Sequence, residues 1–151
     1  MNRESLESMV KELLPEATAE AGQEWPVILV HSEKLKENIS TLRFNENLEM
    51  DFLFCLTCID WKTHFQLVYH LRSTQFAHIL VVKTIVDRED PRIETVSDIW
   101  RTAEFHEREI YDLFGIRFLN HPDLRRLFMS DDWKGWPLRK DYEDPVNMIR
   151  L

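Results

Sequence analysis

The sequence predicts an α/β (α+β) domain built as a two-layer sheet, with N-terminal helices on one face, a later motif helix and an extended C-terminal docking tail. Three observations lead there. Residues 65–72 alternate apolar and polar side chains with the period of two that a half-buried strand requires. Two stretches before them repeat apolar residues at helical spacing. Residues 133–151 carry many large apolar groups with neither period. Helices that must bury one stripe, next to strands that must bury one face, give a layered domain.

The elements follow in order. Ser5 to Leu14 places Leu6, Met9, Val10, Leu13 and Leu14 on one helical side and is stopped by Pro15. Val27 to Val30 is a short buried strand, and Ser32 is suited to N-cap a helix running to Leu42, with Leu35, Ile39 and Leu42 on its apolar face. Strands follow at Met50–Trp61, Phe65–Arg72 and His78–Val86. In the middle strand Phe65, Leu67, Tyr69 and Leu71 face one way and His64, Gln66, His70 and Arg72 the other, which predicts a core face under the two N-terminal helices and a polar opposite face. The charged run from Asp87 to Pro91 is a turn.

The motif helix is predicted over Val96 to Phe114. Trp100, Ala103, Ile110, Tyr111 and Phe114 form its apolar side, and Gly115 ends it in a left-handed conformation. Glu107 falls in the middle of that side. A buried carboxylate must be paired or hydrogen-bonded, so Arg125 or Arg126 is expected to turn back onto it from a new helical turn opened by Pro122. Arg108, Glu109 and Asp112 fall on the opposite side, where Arg108 and Asp112 are spaced as an ordinary surface ion pair. From Trp133 onward, Trp133, Trp136, Leu138, Tyr142, Val146, Met148, Ile149 and Leu151 have no period that would bury them locally, while Pro137 and Pro145 break any helix. The tail is therefore expected to be loosely held in the isolated chain and to order on a partner. The chain divides into a compact domain at 1–118 and a partner-docking segment at 119–151.

These residues also carry a resemblance. The strings Glu107 to Ile116 (EREIYDLFGI), His121 to Arg126 (HPDLRR) and Trp133 to Tyr142 (WKGWPLRKDY) resemble the signature of the 30 kDa, or C-type, subunit of proton-pumping NADH:quinone oxidoreductase, respiratory complex I. Asp60 to Ser73 is similar to the strand pair that precedes it, so about residues 50–142 are covered; Glu143 stands where the family usually has proline. The resemblance implies a non-catalytic structural subunit of the peripheral arm, enzymatic only as part of the complex. Flavin and iron–sulfur clusters would sit in partner subunits, with no cofactor on this chain. Glu107, Arg108, Glu109, Tyr111, Asp112, Arg125, Arg126, Trp133, Trp136, Arg139, Lys140, Asp141 and Tyr142 would take packing and docking roles, chiefly toward the large quinone-site subunit. The location implied is peripheral, on the cytoplasmic side of the inner membrane. Membrane-bound hydrogenase, formate hydrogenlyase and ferredoxin-linked complexes share this signature and are the nearest alternatives.

Composition bounds the other classes. A net charge of -8 disfavours nucleic acid and anionic membrane surfaces, since binding there needs clustered Lys and Arg; Arg125, Arg126, Arg139 and Lys140 are interleaved with acids. No run approaches the roughly 18 apolar residues of a membrane span, and the N-terminal stretch reads as neither a secretory signal nor a transit peptide. Three glycines, none in a glycine-rich loop, argue against a dinucleotide site. Cys55 and Cys58 form a lone C-x-x-C, the basis of a rival reading as a free-standing metal or redox protein. Their spacing on a strand points the sulfurs to opposite faces, however, and His64 and His70 lie about 20 Å apart along theirs, too far for one ion. No metal or catalytic residue is expected.

Overall fold

The computed structural model describes residues 2–144 and 146. Expectations that rest on Pro145, Met148, Ile149 and Leu151 lie outside the described residues. The elements are α1 (Arg3–Leu13), β1 (Thr18–Glu20), β2 (Val27–Val30), a 3-10 turn (Ser32–Lys34), α2 (Leu35–Phe44), β3 (Phe52–Asp60), β4 (His64–Arg72), β5 (Ile79–Asp87), β6 (Arg92–Glu94), α3 (Ala103–Phe114) and β7 (Arg117–Leu119). The main sheet has the order β1-β2-β5-β4-β3, and β6 pairs with β7 in a separate two-stranded sheet. In the main sheet β2 runs parallel to β5, and the other three pairings are antiparallel.

The alternation in β4 orders the core as predicted. Phe65, Leu67, Tyr69 and Leu71 are all fully buried and meet Leu6 and Val10 of α1, Leu35, Ile39 and Leu42 of α2, and Ala103, Ile110 and Phe114 of α3. The α1 helix starts as an Asn cap, with the Asn2 side chain accepting from Ser5 N–H at 2.8 Å. Ser32 does not cap α2: the chain enters through the 3-10 turn, with no side-chain cap bond. The opposite sheet face is not simply polar either. Trp25 folds over Val27, Val68 and Val81 in a second cluster, and the rings of Phe54 and His70 lie 6.4 and 6.0 Å from it.

The motif helix begins later than its apolar pattern suggested. Residues 97–102 do not join the helix, and their side chains are drawn to β3 and the segment leading into it: the Trp100 indole N–H donates to Met50 O at 3.0 Å, and the Thr102 hydroxyl donates to Leu53 O at 2.9 Å. Gly115 ends α3 at φ +79°, as predicted. Among the described residues no helix follows Pro122; residues 121–129 form an irregular loop against α3. The tail is not free of its own domain, which corrects the expectation for residues 133–142. Leu138 N–H donates to Leu113 O at 3.0 Å and Lys140 N–H to an Asp60 carboxylate oxygen at 2.8 Å, so backbone polar groups, which leave no trace in apolar periodicity, hold it in place.

Candidate docking surface

Helix α3 buries two acids on two different sides: Glu107 where the helical wheel put it, though with other partners, and Asp112 where the wheel put a surface. Glu107 is fully buried, but its partners are the Thr95 hydroxyl, 2.6 and 2.8 Å from its two oxygens, and Val96 N–H at 2.9 Å. The expected bond to Arg125 or Arg126 is absent among the described residues, because the loop carrying them passes the other side of the helix. Burial pushes the Glu107 carboxyl up to about 7, against the pull of those hydrogen bonds. It thus clamps α3 to the turn before it while holding its proton to higher pH than an exposed acid would.

Asp112 takes the arginine instead. It is also fully buried, with Oδ1 accepting from Arg126 Nη1 at 3.1 Å and Oδ2 accepting from three successive backbone N–H groups, Leu127, Phe128 and Met129, at 3.1, 2.6 and 3.0 Å. Arg108, expected on the surface, is buried and donates to the carbonyls of Arg125 and Arg126, both at 3.2 Å. The Arg108–Asp112 surface pair is therefore corrected: each side chain bonds the loop rather than the other. Charged residues on a helix face pass for solvated until something covers them, and here an irregular loop does. Glu109 stays exposed, as does Arg125, which pairs with Asp123 at 2.9 Å.

Arg126 links this loop to the tail. Its Nη2 donates to Gly135 O at 3.0 Å, and its guanidinium lies 4.5 Å from the centre of the Trp136 ring. Trp136 in turn meets half-buried Tyr111 at 5.5 Å and covers Gly115 so closely that a Cβ there would stand 2.5 Å from the indole. Tyr142 closes over Gly135 in the same way, with a Cβ at 3.1 Å from its ring. Half-buried Trp133 is held through its backbone N–H to Ser130 O at 3.0 Å.

A second group of charges holds the far end. Arg139 donates from Nε to Phe114 O at 2.7 Å and lies 5.1 Å from the Phe65 ring, which Arg88 also approaches, at 5.0 Å. Arg88 bonds both Asp60 and exposed Asp141, the latter at 2.9 Å; Lys140 extends over Trp61 at 5.9 Å. Burial would raise the Asp60 carboxyl, but N–H donors from Lys140 and Lys62 together with Arg88 outweigh it and hold it below the ordinary range. Sequence reading missed Asp60 and Arg88 as organisers of the tail. The available signal was an acid closing an otherwise apolar strand.

The rival sites fare poorly on chemistry. Cys55 lies opposite His70 and Cys58 opposite Leu67 in the β3–β4 register, so their side chains leave opposite sheet faces. Burial pushes the Cys58 thiol up to about 12 and also raises Cys55, disfavouring the thiolate that metal binding or redox exchange needs. Two of the histidines pack: burial lowers His70 and His78, and His78 bonds Leu48 O at 2.8 Å. Among the described residues no group of three His, Cys, Asp or Glu is placed to hold a metal, and no helix is long and apolar enough to cross a membrane.

Known proteins resemble this chain in sequence and fold. The chain is 49% identical over 126 residues to the C/D subunit of NADH-quinone oxidoreductase from Phocaeicola vulgatus, covering 82% of this chain and 24% of that protein. It is 45% identical to the C subunit of the same enzyme from Chloroherpeton thalassium, over 68% of this chain and 43% of that one. The C subunit of F(420)H(2) dehydrogenase from Methanosarcina mazei is 39% identical, with 85% and 84% covered. The chain thus spans a quarter to under half of the quinone oxidoreductase relatives named. Among solved structures, the trypsin-resistant fragment (1-134) of Nqo5 matches with TM-score 0.69 and 32% identity over 79% of this chain and 98% of that one. A chain of the membrane-bound sulfane sulfur reductase, an archaeal respiratory membrane complex, matches with TM-score 0.80 and 26% identity over 93% and 85%. The model of the family described as respiratory-chain NADH dehydrogenase, 30 Kd subunit, matches residues 28–146, and the chain belongs to that family.

Proposed function

We propose that this chain is a non-catalytic structural subunit of the peripheral arm of an NADH:quinone oxidoreductase, complex I. It braces the large quinone-site subunit while flavin and iron–sulfur centres elsewhere carry electrons from NADH to quinone, coupled to proton translocation. The observation that carries this is how the buried charges are used: Arg108, Asp112 and Arg126 bond the backbone of residues 125–129 and 135, fixing a loop whose Leu127 and Phe128 side chains face solvent. A catalytic site would direct such groups at a cavity; these are directed at the protein's own backbone. In this reading residues 119–151 are the docking segment, Trp136, Arg139, Lys140, Asp141 and Tyr142 set its shape, and the chain is held at the cytoplasmic side of the inner membrane through its partners.

A second reading, as part of an F(420)H(2) dehydrogenase-like or other membrane complex without NADH-oxidising subunits, is favoured by the near-complete coverage of the Methanosarcina relative. Mild-detergent purification through a tag on this chain, followed by mass spectrometry, separates them. Recovery with a flavin-containing NADH-oxidising partner supports complex I; recovery with quinone-site and iron–sulfur proteins but no such partner supports the second. Recovery of this chain alone sinks both.

A further inference from the structure

We propose that the groove between α1 and the free edge of β1 takes an extended segment of a partner protein as an added strand, one in which lysine or arginine alternates with large apolar residues. The sheet order ends at β1, so one edge of Thr18–Glu20 has no neighbouring strand, and all three residues are exposed. Backbone N–H and C=O groups left unpaired along such an edge accept a further strand. Ala19 stands opposite Ile28, and side chains opposite each other in a ladder share a face. Ile28 belongs to the core under the helices and is 6% exposed, whereas Ala19 on that same face is open to solvent. The core face therefore continues one strand beyond what α1 covers. Because Ala17, Ala19 and Ala21 offer only methyl groups, the space that larger side chains would fill remains as a groove of about 700 Å³. That volume lies within the range of ligand-binding clefts, about 300–1,000 Å³. At the other edge of the sheet β3 is not open in this way, since α3 packs against it and the Thr102 hydroxyl occupies Leu53 O.

Charge selects the occupant. Residues 1–24 carry six glutamates against Arg3 and Lys11. Arg3 is already engaged, with Glu7 and with the carbonyls of Gln23 and Glu24 at 2.7 and 3.2 Å, and so ties α1 to the segment after β1. Glu4 borders the groove with no ion pair among the described residues. Successive side chains of a strand point to opposite faces, so an added strand can lay its apolar residues over the alanines and turn its cations toward this acidic rim. A second copy of this chain, itself acidic around β1, offers no such match, and an acyl chain would leave the backbone edge unpaired. Among the described residues none of the groove's lining comes from 119–151, so its occupant does not depend on which complex holds the chain.

The test titrates the isotope-labelled full chain with the peptide acetyl-Lys-Leu-Lys-Val-Lys-Leu-amide and follows backbone amide shifts by NMR. Shifts confined to β1 and the side of α1 facing it, with a dissociation constant of about 100 µM or tighter, are expected. The same peptide N-methylated at alternate residues, which cannot pair as a strand, and a counterpart with glutamate in place of lysine should each bind about tenfold or more weakly. Ala19→Leu fills the groove and should weaken binding of the lysine peptide about tenfold at an unchanged or higher melting temperature. Thr18→Leu, on the opposite sheet face beside Leu29, should leave binding as it is. Equal binding of the N-methylated peptide would make the groove an apolar site without strand addition, and equal binding of the glutamate peptide would remove its charge preference. A free chain already dimeric, with Thr18–Glu20 protected from amide exchange, would make a second copy the occupant. Each of these overturns the inference, as does wild-type affinity in Ala19→Leu or a lysine peptide that binds no tighter than about 1 mM.

Discussion

Glu107 and Asp112 stand five positions apart on one helix, both fully buried, and the protein treats them in opposite ways. Glu107 meets a hydroxyl and one N–H, with no cation within bonding distance among the described residues, and its carboxyl is pushed up to about 7. Asp112 meets a guanidinium and three N–H groups. The first acid fastens α3 inward to the turn before it; the second fastens an irregular loop outward onto α3. Burial alone therefore does not tell what a carboxylate is for. Its donors do, since a neutral acid needs few of them and an ionised one needs its charge answered.

The comparison breaks first at Asp112. Asp112→Ala leaves the Arg126 guanidinium buried without its carboxylate and three N–H groups unmet, and should cost about 3–5 kcal/mol, read as a lower denaturant midpoint. A loss below about 1 kcal/mol would mean the loop is held by something else.

Glu107 is sharpened by pH. Its folded-state value near 7 lies above the unfolded value of about 4.3, so the native chain keeps a proton that the unfolded chain has released. Stability from this group is fully retained below about pH 4.3 and lost as pH rises through 7, a swing on the order of 3–4 kcal/mol. Glu107→Gln should abolish the swing, so the difference between wild type and variant should change by that order between about pH 4.5 and 7.5 in equilibrium unfolding. Parallel curves would show that Glu107 ionises as easily as an exposed acid.

Two smaller effects separate the loop from the tail. Gly115→Ala combines left-handed strain of about 1–2 kcal/mol with eviction of Trp136, and should speed amide exchange at Leu138 and Lys140 while leaving β4 protected. Arg126→Lys keeps a charge near Asp112 but loses the fork that also reaches Gly135 O and stacks on Trp136, an effect of about 1 kcal/mol by thermal melting. If it equalled Asp112→Ala, the ion pair rather than the N–H triad would be the larger element.

Legibility in the sequence divides along the same line. Period-two and period-3.6 patterns placed β2, β4, α1, α2 and the end of α3 because burial of side chains is what those patterns record. They could not place β1, whose three residues are all exposed, nor the start of α3, where Trp100 is taken by Met50, ahead of β3, and Thr102 by Leu53 within it. The candidate site was legible as a list of residues but not as a set of pairs. Arg126 had two buried acids on one helix to choose between, and spacing does not say on which side a loop will pass. The tail's order came from Lys140 N–H on Asp60, eighty residues away, a contact with no local signature.

The parallel pairing of β2 with β5 sets the order in which the domain can form. Val27 meets Val81, and the strands between them close only with each other until β5 exists. During synthesis α1, β2 and α2 therefore leave the ribosome with Leu6, Val10, Ile28, Leu35 and Ile39 still lacking the sheet they cover. The β3–β4 hairpin can form on its own, but the first half of the chain has to wait for the last long strand. A pause in translation just after β4 would lengthen the time those side chains spend in water, and places the chain's greatest exposure to aggregation at birth rather than at work.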